Sequence, residues 1–171
     1  MSDNVIHIGF LTAAKVSINP LTWVSKAIEK LSGKYTHSFC LYDLDDVLYV
    51  RSMEINGVDV SKTYKKYGEE YGERLSLLKL DVIDSTEYNY YCRNEKAKYE
   101  FKNLLVWQYV KAKFGVWLGW DTRYRRICSE DVVRCIKKAI PLFHASPDKI
   151  TPSELFTLIN VYNQNLYGYE N

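Results

Sequence analysis

The sequence predicts an α+β fold in which an antiparallel sheet comes first in the chain and helices follow. Between residues 5 and 80, apolar residues come in short β-branched runs separated by acidic or Asn-Gly turns. From Cys128 onward they recur at helical spacing between recognisable caps. Turns this short join consecutive strands only in antiparallel fashion. At 171 residues, with 47% apolar and 26% charged side chains, the chain suits one domain with a sizeable core and carries no disorder signature. No repeat, low-complexity tract or Gly/Ser/Pro linker divides it, so residues 1–171 read as a single domain.

Val5 to Thr12 is a short β-branched apolar run and reads as a strand. Pro20 opens a helix through Trp23, Val24, Ala27, Ile28 and Leu31, which Gly33 ends. Three strands follow, at Thr36 to Tyr42, Val47 to Glu54 and Leu75 to Leu80. The DLDD stretch is the turn between the first two, because short acidic side chains satisfy local backbone groups, and Asn56-Gly57 marks another. Residues 61–74, polar and rich in Tyr and Lys, read as a short helix or loop. Thr86 caps a helix entering at Glu87, interrupted near Tyr99 and continued by apolar spacing from Leu104 to Phe114.

The best-marked helix starts at Cys128. Val132, Val133, Ile136, Ala139 and Ile140 form its apolar face, Glu130 and Asp131 occupy its first turn, and Lys137 and Lys138 its last, with Pro141 beyond. Thr151-Pro152-Ser153-Glu154 is a full capping box with Pro at the first helical position, and it starts a final helix.

Charge leaves some functions unsupported. Lys plus Arg total 23 against 21 Asp plus Glu, and a net +2 gives little of the attraction a general nucleic-acid binder needs, so no nucleic acid is expected. The amino-terminal apolar stretch follows an acid and has no basic segment before it, which suits neither a signal peptide nor a spanning helix. No other stretch approaches the ~20 apolar residues of a membrane span. The expectation is a protein that is cytoplasmic as synthesised, with Cys40, Cys92, Cys128 and Cys135 reduced.

Cys128 stands where a loop enters a helix, a position that favours thiolate, with Arg123, Arg125 and Arg126 just upstream. A cysteine nucleophile needs a base, and the chain offers His7, His37 and His144. His37 lies on a strand whose rigid backbone suits a side chain that must hold its direction. Glu54, ending the next strand, is placed by a hairpin beside His37, where an acceptor would fix the imidazole tautomer. Each has a plainer reading: a small core cysteine, a histidine on a polar strand face, an exposed carboxylate. A zinc site on His37, Cys40 and Cys128 is disfavoured, since there is no Cys-x-x-Cys pair and strand residues three apart point to opposite faces. No metal and no cofactor are expected.

Taken together, THSFCLY around His37, Glu54 before Gly57-Val58, Cys128-Ser129-Glu130 and the Thr151-Pro152-x-x-Leu155 segment resemble the circularly permuted branch of the NlpC-type papain-like superfamily, the YiiX-like proteins. Residues 61–74 and 88–99 match nothing in that pattern. The resemblance implies a permuted papain-like fold, with the histidine strand before the nucleophile helix in sequence. It implies a Cys128-His37-Glu54 triad that forms a thioester acyl-enzyme. The oxyanion would be held by the Cys128 N–H and one further donor. Arg125 and Arg126 read as a patch guiding an anionic substrate, against the simpler reading of a solvated loop. The expected activity is a cysteine hydrolase or acyltransferase on peptide, cell-wall or acyl and lipid substrates, in a bacterial or phage setting where lysis or virion association gives access. The alternative is a binding module for peptide, glycan or acyl ligands that keeps the scaffold without turnover, its groove lined by some of the 15 tyrosines.

Overall fold

A computed structural model describes residues 4–14, 26–27, 29–30, 33–54, 56–99, 113–115, 125–147 and 150–167. Strands β1 (Val5–Thr12), β2 (Tyr35–Leu44), β3 (Val47–Glu54), β4 (Gly57–Asp59) and β5 (Leu75–Asp81) form one antiparallel sheet in the order β4-β3-β2-β1-β5. Helix α1 (Tyr64–Tyr71) precedes β5, α2 (Thr86–Asn94) follows it, and α3 (Cys128–Ala139) and α4 (Pro152–Tyr167) close the chain. Between α2 and α3, β6 (Lys98–Tyr99) and β7 (Arg125–Arg126) pair parallel. Among the described residues no helix is long and apolar enough to cross a membrane.

Period-two alternation divides the core. Ile6, Ile8 and Phe10 of β1, with Cys40 and Tyr42 of β2, face α2, α3 and α4, where Val132, Val133, Ile136, Leu155 and Ile159 meet them. Leu11, Phe39, Leu41 and Val50 face the other way and bury Tyr67 of α1. Gly9 faces Phe39 across the β1–β2 ladder, and a Cβ there would stand 2.0 Å from the Phe39 ring, so only glycine leaves the ring its place. That ring in turn stacks on His37, with centroids 6.4 Å apart.

The expected strands are found, β2 reaching one residue further at its start and two at its end. The DLDD turn is a two-residue hairpin in which Asp45 and Asp46 take φ of 53° and 62°, the left-handed pair that matches strand twist. Gly57 leads into β4, a short edge strand the pattern did not mark. Residues 61–74 form a helix capped by Thr63, whose hydroxyl accepts from the Lys66 N–H, followed by a 3-10 turn. The N-cap of α2 is Ser85 rather than Thr86, with no side-chain cap bond of its own, and Asp84 just before it accepts the Thr86 N–H (2.8 Å) and the Thr86 hydroxyl (2.6 Å) on Oδ1. In the capping box before α4, the Thr151 N–H donates to Glu154 Oε2 and the Glu154 N–H to Thr151 Oγ1. Most of the helix expected from Pro20 lies outside the described residues. Lys26, Ala27, Glu29 and Lys30 are helical, and Gly33, at φ 95°, donates its N–H to the Glu29 carbonyl as a helix terminator does. The run from Leu104 to Phe114 also lies outside, except for residues 113 and 114, which are helical.

Candidate active site

The site forms where the sheet opens. The β2–β3 ladder ends at Phe39 and Ser52, so the start of β2 runs on without β3 beside it. A bulge at Thr36 interrupts the β1 side just there, with Leu11 opposite His37 and Thr12 opposite Tyr35. Helix α3 brings its first residue to this gap. It sets the Cys128 sulfur beside the His37 imidazole and the Ser38 backbone N–H, near enough for both to act on its charge.

Cys128 is held by its own helix in a way the sequence pattern explains in part. Glu130 Oε2 accepts the Ile127 N–H (2.9 Å), which fixes the chain as it enters the helix. The Ser129 hydroxyl donates to the Ile150 carbonyl (2.6 Å), tying that first turn to the loop before α4. Burial pushes the Cys128 thiol up, but the charge and hydrogen bond of His37 and the contacts from Ser38 outweigh it, and the net pKa lies below the ordinary 9.0. For His37, burial pulls down, while the Cys128 thiolate, its hydrogen bond and the Glu54 charge raise it above 6.5 against the opposing Arg74. Both shifts favour the same state, thiolate beside imidazolium.

Glu54 reaches His37 through an intermediary. His37 Nε2 lies 2.8 Å from Ser52 Oγ, and Ser52 Oγ donates to Glu54 Oε1 at 2.6 Å. Donor arithmetic fixes the tautomer. A hydroxyl has one proton, and Ser52 gives it to a carboxylate that only accepts. Ser52 must therefore accept from Nε2–H, which leaves Nδ1 as the nitrogen that serves the thiol. Sequence reasoning missed Ser52. The signal was available: with the β2–β3 register fixed by the two-residue hairpin, Ser52 stands opposite Phe39, on the face of His37 and two residues from Glu54.

Ser38 is the other residue the sequence did not single out. Its hydroxyl is fully buried, closes no hydrogen bond in this arrangement, and stands close enough to the sulfur to help hold its pKa down. Ser38→Ala is expected to raise the apparent pKa of Cys128 and to slow its alkylation at neutral pH by about 2–10-fold, the ~0.5–1.5 kcal/mol of the hydrogen bond that the free hydroxyl can turn to the thiolate once it forms. An unchanged pH profile of alkylation would remove Ser38 from this role.

Arg126 of the expected basic patch turns away from solvent. Arg126 is 1% exposed, and its guanidinium turns inward to Asp131 Oδ1 (3.1 Å), the Tyr91 hydroxyl (2.9 Å) and Glu95 Oε1 (3.0 Å). Buried charge has to be paired, and this arginine is committed to that task rather than to a substrate. The Arg125 backbone pairs with Lys98, while its side chain and Arg123 lie outside the described residues. Asp131 also takes the Arg51 fork, from Nε at 2.8 Å and Nη2 at 2.9 Å, and Arg51 Nη1 donates to the carbonyls of Cys92 and Glu95. This buried cluster locks α3 to β3 and to the end of α2, one turn from Cys128.

The other candidates lie elsewhere. Cys40 packs with Cys92 and Cys135, away from the imidazole, because it points to the helix face while His37 shares the Phe39 face. His7 stands opposite Lys79 on β1, and His144 is exposed after α3. No family model, no curated protein and no solved structure matches this chain.

Proposed function

We propose that this protein is a cysteine-dependent hydrolase or acyltransferase acting on an amide, ester or thioester, in a permuted papain-like arrangement. One observation carries the reading: a helix-start cysteine stands beside a histidine whose far nitrogen is anchored through Ser52 to Glu54, and the charge of each pulls the thiol pKa down and pushes the imidazole pKa up. The Cys128 thiolate attacks the acyl carbon, and the oxyanion that develops is met by the backbone N–H at the start of α3. The imidazolium gives its Nδ1 proton to the leaving group as the tetrahedral species collapses to a thioester. Water, or another acceptor, then loses a proton to Nδ1 as it attacks the thioester and frees the sulfur. Peptidoglycan-type peptides and acylated lipids are the substrate classes to try first, since fold and triad do not choose between them.

Turnover of a panel of peptide amides and activated acyl esters tests this. Cys128→Ala is expected to abolish it, and full activity in that variant would sink the mechanism. Ser52→Ala and Glu54→Gln are each expected to cost about 10–100-fold, the ~1.5–3 kcal/mol of a hydrogen bond to a charged group. If the two act as one relay, the double variant loses no more than the worse single one.

A second reading has its own observation. Cys128 is only 2% exposed, which suits a scaffold that keeps the pair without admitting substrate, a binding module for peptide, glycan or acyl ligands. Iodoacetamide separates the two. Rapid labelling of Cys128 with an apparent pKa below 9.0 supports the enzyme, and a thiol as inert as Cys40, Cys92 and Cys135 supports the module.

A further inference from the structure

Three cysteines play no part in that chemistry. Cys40 comes from β2, Cys92 from α2 and Cys135 from α3; all are fully buried, and their sulfurs lie within 4.8 Å of one another. Cys135 is seven residues along the helix from Cys128, two turns or about 10 Å of rise, so the cluster is separate from the nucleophile. Three sulfurs from three elements, converging on one point inside a core otherwise built of Ile, Val, Leu and aromatic residues, form a ligand set. A metal held equidistant by three coplanar sulfurs at ~2.3 Å sets them about 4.0 Å apart, so closing on an ion asks each to move by a few tenths of an ångström.

The surroundings choose the ion. Three soft thiolates select copper(I) or zinc among the biological metals, and zinc completes a tetrahedron with a fourth ligand. The described neighbours have none to spare: the Tyr88 hydroxyl donates to the Leu41 carbonyl at 2.8 Å, and both Asp131 oxygens hold Arg51, one of them Arg126 as well. All three cysteines are fully buried in an apolar core, which disfavours a water in that place. We propose that Cys40, Cys92 and Cys135 form a trigonal three-sulfur site for copper(I), clamping β2, α2 and α3 together.

Binding involves no change of oxidation state. Each coordinating sulfur releases its thiol proton to solvent, three protons out for one ion in, and the site is left with charge −2. The Arg51 guanidinium, whose Nη1 donates to the Cys92 carbonyl, lies where it offsets part of that charge. Nothing in this depends on Cys128 being a nucleophile.

The test is anaerobic titration of the reduced full-length protein with copper(I) against a chromogenic copper(I) chelator. Because the sulfurs are sealed, the ion is offered both to folded protein and during refolding from denaturant, and capture by either route counts. The expected result is one equivalent held per chain, with three sulfur neighbours by X-ray absorption and a raised melting temperature. Cys128→Ala should bind the same equivalent. Cys92→Ala and Cys135→Ala should each lose at least about 100-fold in affinity, since even outer-sphere losses cost ~10–100-fold. Should those variants fail to fold, the sulfur count in Cys128→Ala decides alone. No retained copper in Cys128→Ala, a two-sulfur ion, or a disulfide formed among the three cysteines in its place would each overturn the proposal.

Discussion

His37→Ala is expected to drive the Cys128 pKa upward and to cut turnover by about 10²–10⁴-fold, the usual worth of a positioned acid–base group. The direction follows from the balance at the sulfur. Burial is the largest influence and opposes the thiolate, and His37 supplies the charge and one hydrogen bond that reverse it. Without the imidazolium, only the Ser38 contacts remain against burial. The pH profile carries a second signature. In the wild type the reactive thiolate–imidazolium pair forms as pH rises through the lowered thiol pKa, and is lost as pH rises further through the raised imidazole pKa. Turnover is therefore bell-shaped, its limbs belonging to the coupled pair, with the alkaline limb above 6.5. Alkylation, which needs only thiolate, shows the acid limb alone. In His37→Ala the bell should collapse to a single rise at higher pH, measured by initial rates and by mass-spectrometric labelling across pH. An unchanged profile would mean that His37 does not control this sulfur.

Much of this arrangement is legible in the sequence, because it rests on local rules. The strand at Val47 to Glu54, the Cys128 helix and the final capped helix are each specified by near-neighbour signals: turn acids with positive φ, macrodipole charges, a capping box. The pairing of His37 with Cys128 rests on the resemblance, since the 90 intervening residues carry no local signal of contact. What escaped is what depends on which face a side chain takes and on what it meets there. Ser52 reads as an ordinary strand serine until the hairpin register puts it between His37 and Glu54. Arg126 reads as a surface charge because arginine usually is one, and only the meeting of β3, α2 and α3 supplies the partners that let it go inside. The three-cysteine cluster has no spacing motif, because each sulfur belongs to a different element.

The second large effect belongs to stability. Asp131→Ala should destabilise the protein by about 3–5 kcal/mol, the cost of breaking a buried ion pair from one side. Asp131 accepts three charge-assisted hydrogen bonds, two from Arg51 and one from Arg126, with all three side chains almost wholly buried. Arg126 keeps Glu95 when the carboxylate goes, but Arg51 is left with two backbone carbonyls and no counter-charge. Against a total stability of roughly 5–15 kcal/mol this is a large fraction, and at ~2–4 °C per kcal/mol for a chain of this size the melting temperature should fall by roughly 6–20 °C. Urea unfolding checks it: the midpoint should drop with little change in slope. Asp131→Asn keeps the shape and part of the hydrogen bonding but not the charge, so a nearly equal loss would identify the charge as the cause. The same variant reports on the site. Asp131 is three residues beyond Cys128, and its clamp sets where the start of α3 meets the gap beside Ser38. Folded Asp131→Asn should therefore alkylate at Cys128 with an altered pH midpoint, while a variant that loses stability with the Cys128 profile intact would show that the helix start is held by Glu130 and Ser129 without the clamp.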